Sequence, residues 1–163
     1  SIISLVPQDP SLFHRSLREN IAYGKPNATM EEIIAAARKA QAHDFIMETP
    51  KGYDTTVGER GIKLSGGQRQ RVAIARAILE AESAPIVIFD EATSALDNLT
   101  EKHVMDAVNN LSKHKTIIMI AHRLSTVKKC DKIFLFEKGE LKNEGTFDEL
   151  ININENFKKS VIN

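Results

Sequence analysis

Asp90 and Glu91 follow a run of four apolar residues, Ile86-Val87-Ile88-Phe89, so two carboxylates stand where a buried strand meets solvent. In open α/β sheets the carboxyl end of a strand is where ligands bind. A carboxylate there suits a hard cation such as Mg²⁺, which takes oxygen ligands, often through water. A second carboxylate beside it can accept the proton of an attacking water, a role worth roughly 10²–10⁴-fold in rate. The plainer alternative is an acidic pair that opens a polar loop. Gln8 follows the apolar stretch 2–6 in the same manner, and its amide oxygen can coordinate a metal or a water. His122 follows the stretch 117–121, where an imidazole can donate to a phosphate oxygen or orient water. Taken alone, it reads as a structural hydrogen-bonder. Ser65-Gly66-Gly67-Gln68 opens a helical stretch. Glycines let a backbone approach phosphate, helix N-termini favour anions, and Ser65 adds a hydroxyl donor. The plainer alternative there is a serine N-cap with two turn glycines.

These residues need a frame. Apolar runs predict strands at 2–6, 86–89, 116–121 and 132–136, with a further strand at 140–143 after a turn at Lys138-Gly139. The continuous run 86–89 predicts a strand covered on both faces. Thr29-x-x-Glu32 is a capping-box pattern that opens a helix through Ala40. Short helical pieces are expected over 12–21 and 44–47, and loop over 51–63. A longer helix is expected over 68–80, with Val72, Ala75 and Leu79 on its buried face and Arg69, Arg71 and Arg76 projecting elsewhere. Val104, Val108 and Leu111 share one side of a helix at 101–111. A short helix lies near Thr126, and the tail from Ile151 reads as a terminal helix. Strands alternating with helices predict an α/β layer fold with a parallel sheet. The almost wholly helical stretch of about 15–80 reads as a subdomain inserted into that sheet, with 1–14 and 81–163 as the α/β core and C-terminal helices.

Composition narrows the function classes. The chain has 163 residues, the length of one domain, and 42% of them are hydrophobic, enough for a core. Lysine plus arginine and aspartate plus glutamate number 22 each, so there is no basic footprint for nucleic acid, and no nucleic-acid partner is expected. No apolar run approaches the roughly 20 residues that span a bilayer. A membrane link is therefore expected through a partner or another segment. There is no signal peptide, and residue 1 is Ser1 rather than a methionine. A single cysteine, Cys130, fits a reducing compartment. None of the glycines, at 24, 52, 58, 61, 66, 67, 139 and 145, belongs to a G-x-x-x-x-G-K-[ST] phosphate loop. Only Gly24 precedes a lysine, and Pro26 follows that lysine. In P-loop NTPases that loop cradles the β- and γ-phosphates, so these residues alone are expected neither to bind nor to hydrolyse ATP.

Taken in order, Leu64-Ser65-Gly66-Gly67-Gln68, then 86–91, Ser94-Ala95-Leu96-Asp97 and Ala121-His122-Arg123 resemble the nucleotide-binding domain of ABC transporters, in the portion that follows the phosphate loop. The likeness covers nearly the whole chain. Thr56-Val57-Gly58-Glu59-Arg60-Gly61 resembles the X-loop of the exporter type, and Val6-Pro7-Gln8 with Leu12-Phe13 and Glu19-Asn20-Ile21 resembles the Q-loop region. The resemblance implies a partial P-loop NTPase core with a parallel sheet and an inserted α-helical signature subdomain. It implies ATP and Mg²⁺, with Asp90 acting on the metal, Glu91 as catalytic base and His122 at the γ-phosphate. Gln8 would join nucleotide and metal to a transmembrane domain. Ser65, Gly66, Gly67 and Gln68 would close over ATP held by a second nucleotide-binding domain in a head-to-tail dimer, with Asp97 across the same interface. The implied place is the cytoplasmic face of a membrane. Tyr23 does not match the family's base-stacking aromatic, which precedes the phosphate loop. The stretch 80–85 is slightly longer than usual, and Phe89 stands where an aliphatic residue is more common. Two rival readings belong beside the exporter. A non-transport ABC ATPase is opposed by the X-loop and by the ungapped path from Gln8 to Ser65. A non-hydrolysing dimerisation module is opposed by the intact Glu91.

Overall fold

The computed structural model of the chain describes residues 2–111 and 113–162. They form two units, one up to Ile120 and one from Ala121 onward.

The first unit holds three parallel strands in spatial order: β1 (Ile3–Val6), β2 (Ile86–Asp90) and β3 (Thr116–Ile120). Between β1 and β2 the chain is helical: α1 (Leu17–Ile21), α2 (Met30–Lys39), α3 (His43–Met47) and α4 (Gly66–Glu80), with 3₁₀ turns at Ala22–Gly24 and Gly52–Asp54. Helix α5 (Asn98–Leu111) follows β2. Reciprocal capping boxes open α1 (Ser16 with Glu19), α2 (Thr29 with Glu32) and α4 (Ser65 with Gln68). Each satisfies two backbone N–H groups that a helix start leaves orphaned. The Ser65 box makes α4 begin two residues earlier than periodicity predicts, because the cap draws Gly66 and Gly67 into its first turn.

Helix α4 buries far more than one stripe. Gln70, Val72, Ala73, Ile74, Ala75, Ala77, Ile78 and Leu79 are all buried. Two of its arginines are structural ties rather than solvent-facing groups. Arg76 donates from Nε to the Asn20 carbonyl at 2.7 Å and lies over the Phe13 and Tyr23 rings. Arg71 donates from Nη1 to the Gln41 carbonyl at 2.8 Å and lies over Phe45.

Among the described residues of this unit the helices bury one face of the sheet, and the two-sided cover that the run 86–89 predicts is only half reached on the other, where Ile86 and Ile88 are half-buried. Ser4, Val6, Val87 and Phe89 are buried, and the apolar ones join Val72, Ile74 and Ile78 of α4 and Val104 and Val108 of α5 in one cluster. On the other face Ile3, Leu5, Ile118 and Ile120 are exposed. An apolar run records a chain's capacity for burial, and among the described residues of this unit the helices pack against one side of it.

The second unit contains α6 (Leu124–Val127), a hairpin of β4 (Ile133–Glu137) and β5 (Glu140–Gly145), then α7 (Phe147–Ile153) and α8 (Glu155–Ile162). Lys138 and Gly139 both have positive φ, 51° and 81°, the two-residue turn that suits antiparallel strands. The tail forms two helices rather than one, because the Asn154 side chain accepts from the Phe157 N–H at 2.8 Å and starts α8 afresh. Phe147, Leu150 and Phe157 make this unit's core.

Candidate functional site

In the parallel register Val6 lies opposite Phe89 and Asp90 opposite Ile120. Gln8, Asp90 and Glu91 therefore leave the same end of the sheet, from neighbouring strands. Asp90 and Glu91 are half-buried and Gln8 is exposed. The Glu91 N–H donates to the Ile120 carbonyl at 2.8 Å, extending the β2–β3 ladder by one bond. Glu91 then turns into the left-handed region, φ 49°, and its carbonyl accepts from the Ser94 N–H at 3.1 Å. A non-glycine residue there costs on the order of 1–3 kcal/mol and persists only when surrounding structure enforces it, a pattern that clusters at functional sites.

Ser65 caps α4. Its Oγ accepts from the Gln68 N–H at 3.1 Å, and the Gln68 side-chain oxygen accepts from the Ser65 N–H at 2.9 Å. The plain N-cap reading is therefore right about local structure. It is also compatible with ligand binding, since an accepting hydroxyl keeps its own hydrogen for donation. Gly66 and Gly67 lie against the loop that carries Asp97. A Cβ on Gly67 would stand 2.9 Å from the Ala95 carbonyl oxygen, so only glycine fits there without a backbone shift. Arg69 donates to the Leu64 carbonyl at 2.9 Å and forms a long, exposed ion pair with Asp9 at 3.6 Å.

Asp97 is exposed and accepts from the Thr100 hydroxyl at 2.5 Å and the Thr100 N–H at 3.1 Å, capping α5. The hydroxyl bond first, then the backbone bond, holds its carboxyl below the usual aspartate value. Burial pushes the Arg71 guanidinium down from its usual value, and the charge of Asp97 partly offsets this. His122 belongs to the second unit, two residues along the chain from β3, and is exposed.

Sequence reasoning passed over Gln70. Its side-chain nitrogen donates to the Gln8 carbonyl at 2.7 Å and to the Ser94 hydroxyl at 3.0 Å, and its side-chain oxygen accepts from the Ala95 N–H at 3.0 Å. One amide thus joins the loop of Gln8, the loop of Asp97 and the helix that Ser65 caps. The signal was present: Gln70 lies in phase with Ala73, Ile74 and Ala77, a polar residue on a buried stripe. Among the described residues no helix is long and apolar enough to cross a membrane.

A family model described as ABC transporter matches residues 1–94. The beta-(1-->2)glucan export ATP-binding/permease protein NdvA of Brucella abortus is 55% identical over 148 residues, 91% of this chain and 24% of that protein. The ATP-dependent lipid A-core flippase of Acinetobacter baylyi is 53% identical over 150 residues, 91% of this chain and 26% of that protein. A bacterial Atm1-family ABC exporter, solved with ATP bound, superposes with a TM-score of 0.89 at 43% identity, over 99% of this chain and 28% of that one. The chain spans only about a quarter of the length of such relatives, 27% for the first of them. The likeness to exporter-type nucleotide-binding domains is borne out, as is the α/β fold with a parallel sheet and inserted helices.

Proposed function

Because this chain belongs to the ABC transporter family, we propose that it forms part of the ATP-hydrolysing domain of an exporter, coupling ATP turnover to movement of a substrate across a membrane. The observation that carries this is the shared strand end: Gln8 after β1 and Asp90-Glu91 after β2 leave one end of a parallel sheet side by side. There Glu91 accepts the proton of the attacking water, and Asp90 with Gln8 would hold the metal. Their donors, one carboxylate and one amide oxygen, fit Mg²⁺, which is commonly bound by one or two carboxylates plus substrate phosphates. Bound there, Mg²⁺ would neutralise charge on the phosphates. No group of three or more His, Cys, Asp or Glu that could hold a metal exists among the described residues, so phosphate and water oxygens would complete the shell.

By the family resemblance His122 would donate to the γ-phosphate. Ser65, the N–H groups of Gly66 and Gly67, and Gln68 close over ATP held by a second nucleotide-binding domain, whose interface also receives Asp97. A transmembrane domain is the other partner, and the site works on the cytoplasmic face of the membrane. The relatives named above span glucan export and lipid flipping, and nothing in these residues selects a cargo.

The test is Glu91→Gln in the full-length protein that carries this chain. The amide keeps the shape and loses the basicity, so turnover should fall at least about 10²-fold while ATP binding persists and the closed dimer accumulates. Near-normal steady-state hydrolysis by that variant would remove Glu91 from the role of base.

A further inference from the structure

We propose that Gln70 is a positioning residue for ATP hydrolysis, whose buried side-chain amide locks the loop carrying Gln8 to the loop carrying Asp97 so that the two loops move together. The inference rests on the function proposed above. Gln70 is 2% exposed, and three hydrogen bonds use both of its N–H donors and its side-chain oxygen. Two N–H bonds reach the Gln8 carbonyl at 2.7 Å and the Ser94 hydroxyl at 3.0 Å, and the oxygen receives the Ala95 N–H at 3.0 Å. The orientation is fixed by chemistry. A backbone carbonyl can only accept and a backbone N–H can only donate, so the amide cannot flip without losing both bonds.

The contacts join segments 62 and 24 residues away from Gln70 in the chain. They are part-buried, with Gln70 itself inside, and water is scarcer there, so a hydrogen bond gains strength and an orphaned polar group costs more. The consequence is specific to the proposed dimer. Gln8 serves the nucleotide of its own copy, whereas Asp97 and the Ser65 helix start face the nucleotide of the partner copy. The Gln70 amide sits between the two and transmits a shift of either loop to the other. A residue that only filled space would be replaced without loss by methionine, which has similar length and no strong donor.

The experiment uses the full-length protein with Gln70→Met and Gln70→Glu, each also in the Glu91→Gln background. It measures steady-state kcat and KM for Mg·ATP, ATP affinity in the Glu91→Gln background, and backbone hydrogen exchange. We expect kcat to fall on the order of tenfold or more in both variants, with KM and ATP affinity changed by less than about twofold. Exchange should quicken at Gln8, Asp9 and residues 92–97 while α4 stays protected. Wild-type kcat and unchanged exchange in Gln70→Met would overturn the proposal. So would a joint loss of ATP affinity and α4 protection, which would make Gln70 a core residue only. Should neither variant fold, the wild-type Ala95 amide decides: slow exchange supports the link, and exchange as fast as exposed loop amides overturns it. A wild-type protein that fails to hydrolyse ATP would instead defeat the function proposed above, and the exchange arm would still test the link.

Discussion

The carbonyl oxygen of Ala95 lies 2.9 Å from where a Cβ on Gly67 would stand, while a Cβ on Gly66 would meet the Ala95 methyl at an ordinary 3.6 Å. The two glycines of one motif therefore answer to different constraints. Gly67 is required by a backbone atom that cannot move without moving the loop of Asp97. Gly66 is not.

Gly67→Ala should consequently displace that loop. Alanine gains about 1 kcal/mol of helix propensity, but the forced contact costs about 1–3 kcal/mol, so the net effect on stability is small or unfavourable. Turnover should fall sharply, since the Ala95 N–H is held by Gln70. Gly66→Ala should be neutral or stabilising by up to about 1 kcal/mol. Thermal melting and ATPase assays of the two variants side by side check the difference. Equal behaviour would mean that the loop yields freely.

Ser65 carries two separable duties. Ser65→Ala removes the cap bond to the Gln68 N–H and should cost about 1 kcal/mol. Ser65→Arg adds a bulky cation at the helix start and should block closure over the partner's nucleotide. In a mixed dimer of one Ser65→Arg copy and one copy lacking its phosphate-loop lysine, both lesions should fall on one composite site and leave the other occupied. Equal loss of nucleotide at both sites would refute action in trans.

Much of this was legible in the residues. Thr29-x-x-Glu32 announced α2 to within a residue, because a capping box is a local pattern with a local cause. The strands carrying Gln8 and Asp90-Glu91 were equally readable from their apolar runs. Two things were not. Ser65 and Gln68 form the same box, yet the glycine pair between them hid the true start of α4. Arg71 and Arg76 read as projecting away from the buried face of α4, and Gln70 was passed over. In fact they reach groups on other elements, Gln8, Gln41 and Asn20, and such partners are set by tertiary packing, which periodicity does not encode.

Asp97 makes a pH-dependent contribution of known sign. Its folded-state pKa is lowered from 3.8 by Thr100, so the stabilisation it gives the start of α5 is present above that value. It is lost as the pH falls through the lower, folded-state value. Asp97→Ala should therefore melt below wild type at neutral pH, and the gap should close under strongly acidic conditions. A gap that stayed constant into acid would mean that the carboxylate does not act through its charge.

The open face of the sheet sets the last expectation, for the isolated 163-residue chain. Strands β1 and β3 each pair with β2 alone among the described residues, so both have a free edge beside exposed Ile3, Leu5, Ile118 and Ile120. Free edges next to apolar surface promote association. Helix α4 has no such weakness, being buried along most of its length. Hydrogen exchange should therefore rank α4 as better protected than β1 and β3. Leu5→Lys on the open face should improve solubility with little change in melting temperature. Val87→Ala, on the covered face, should cost about 2 kcal/mol. Protection of β1 and β3 equal to that of α4 in a monomeric sample would show that this sheet is stable with one face bare, and the link between its apolar run and a missing cover would fail.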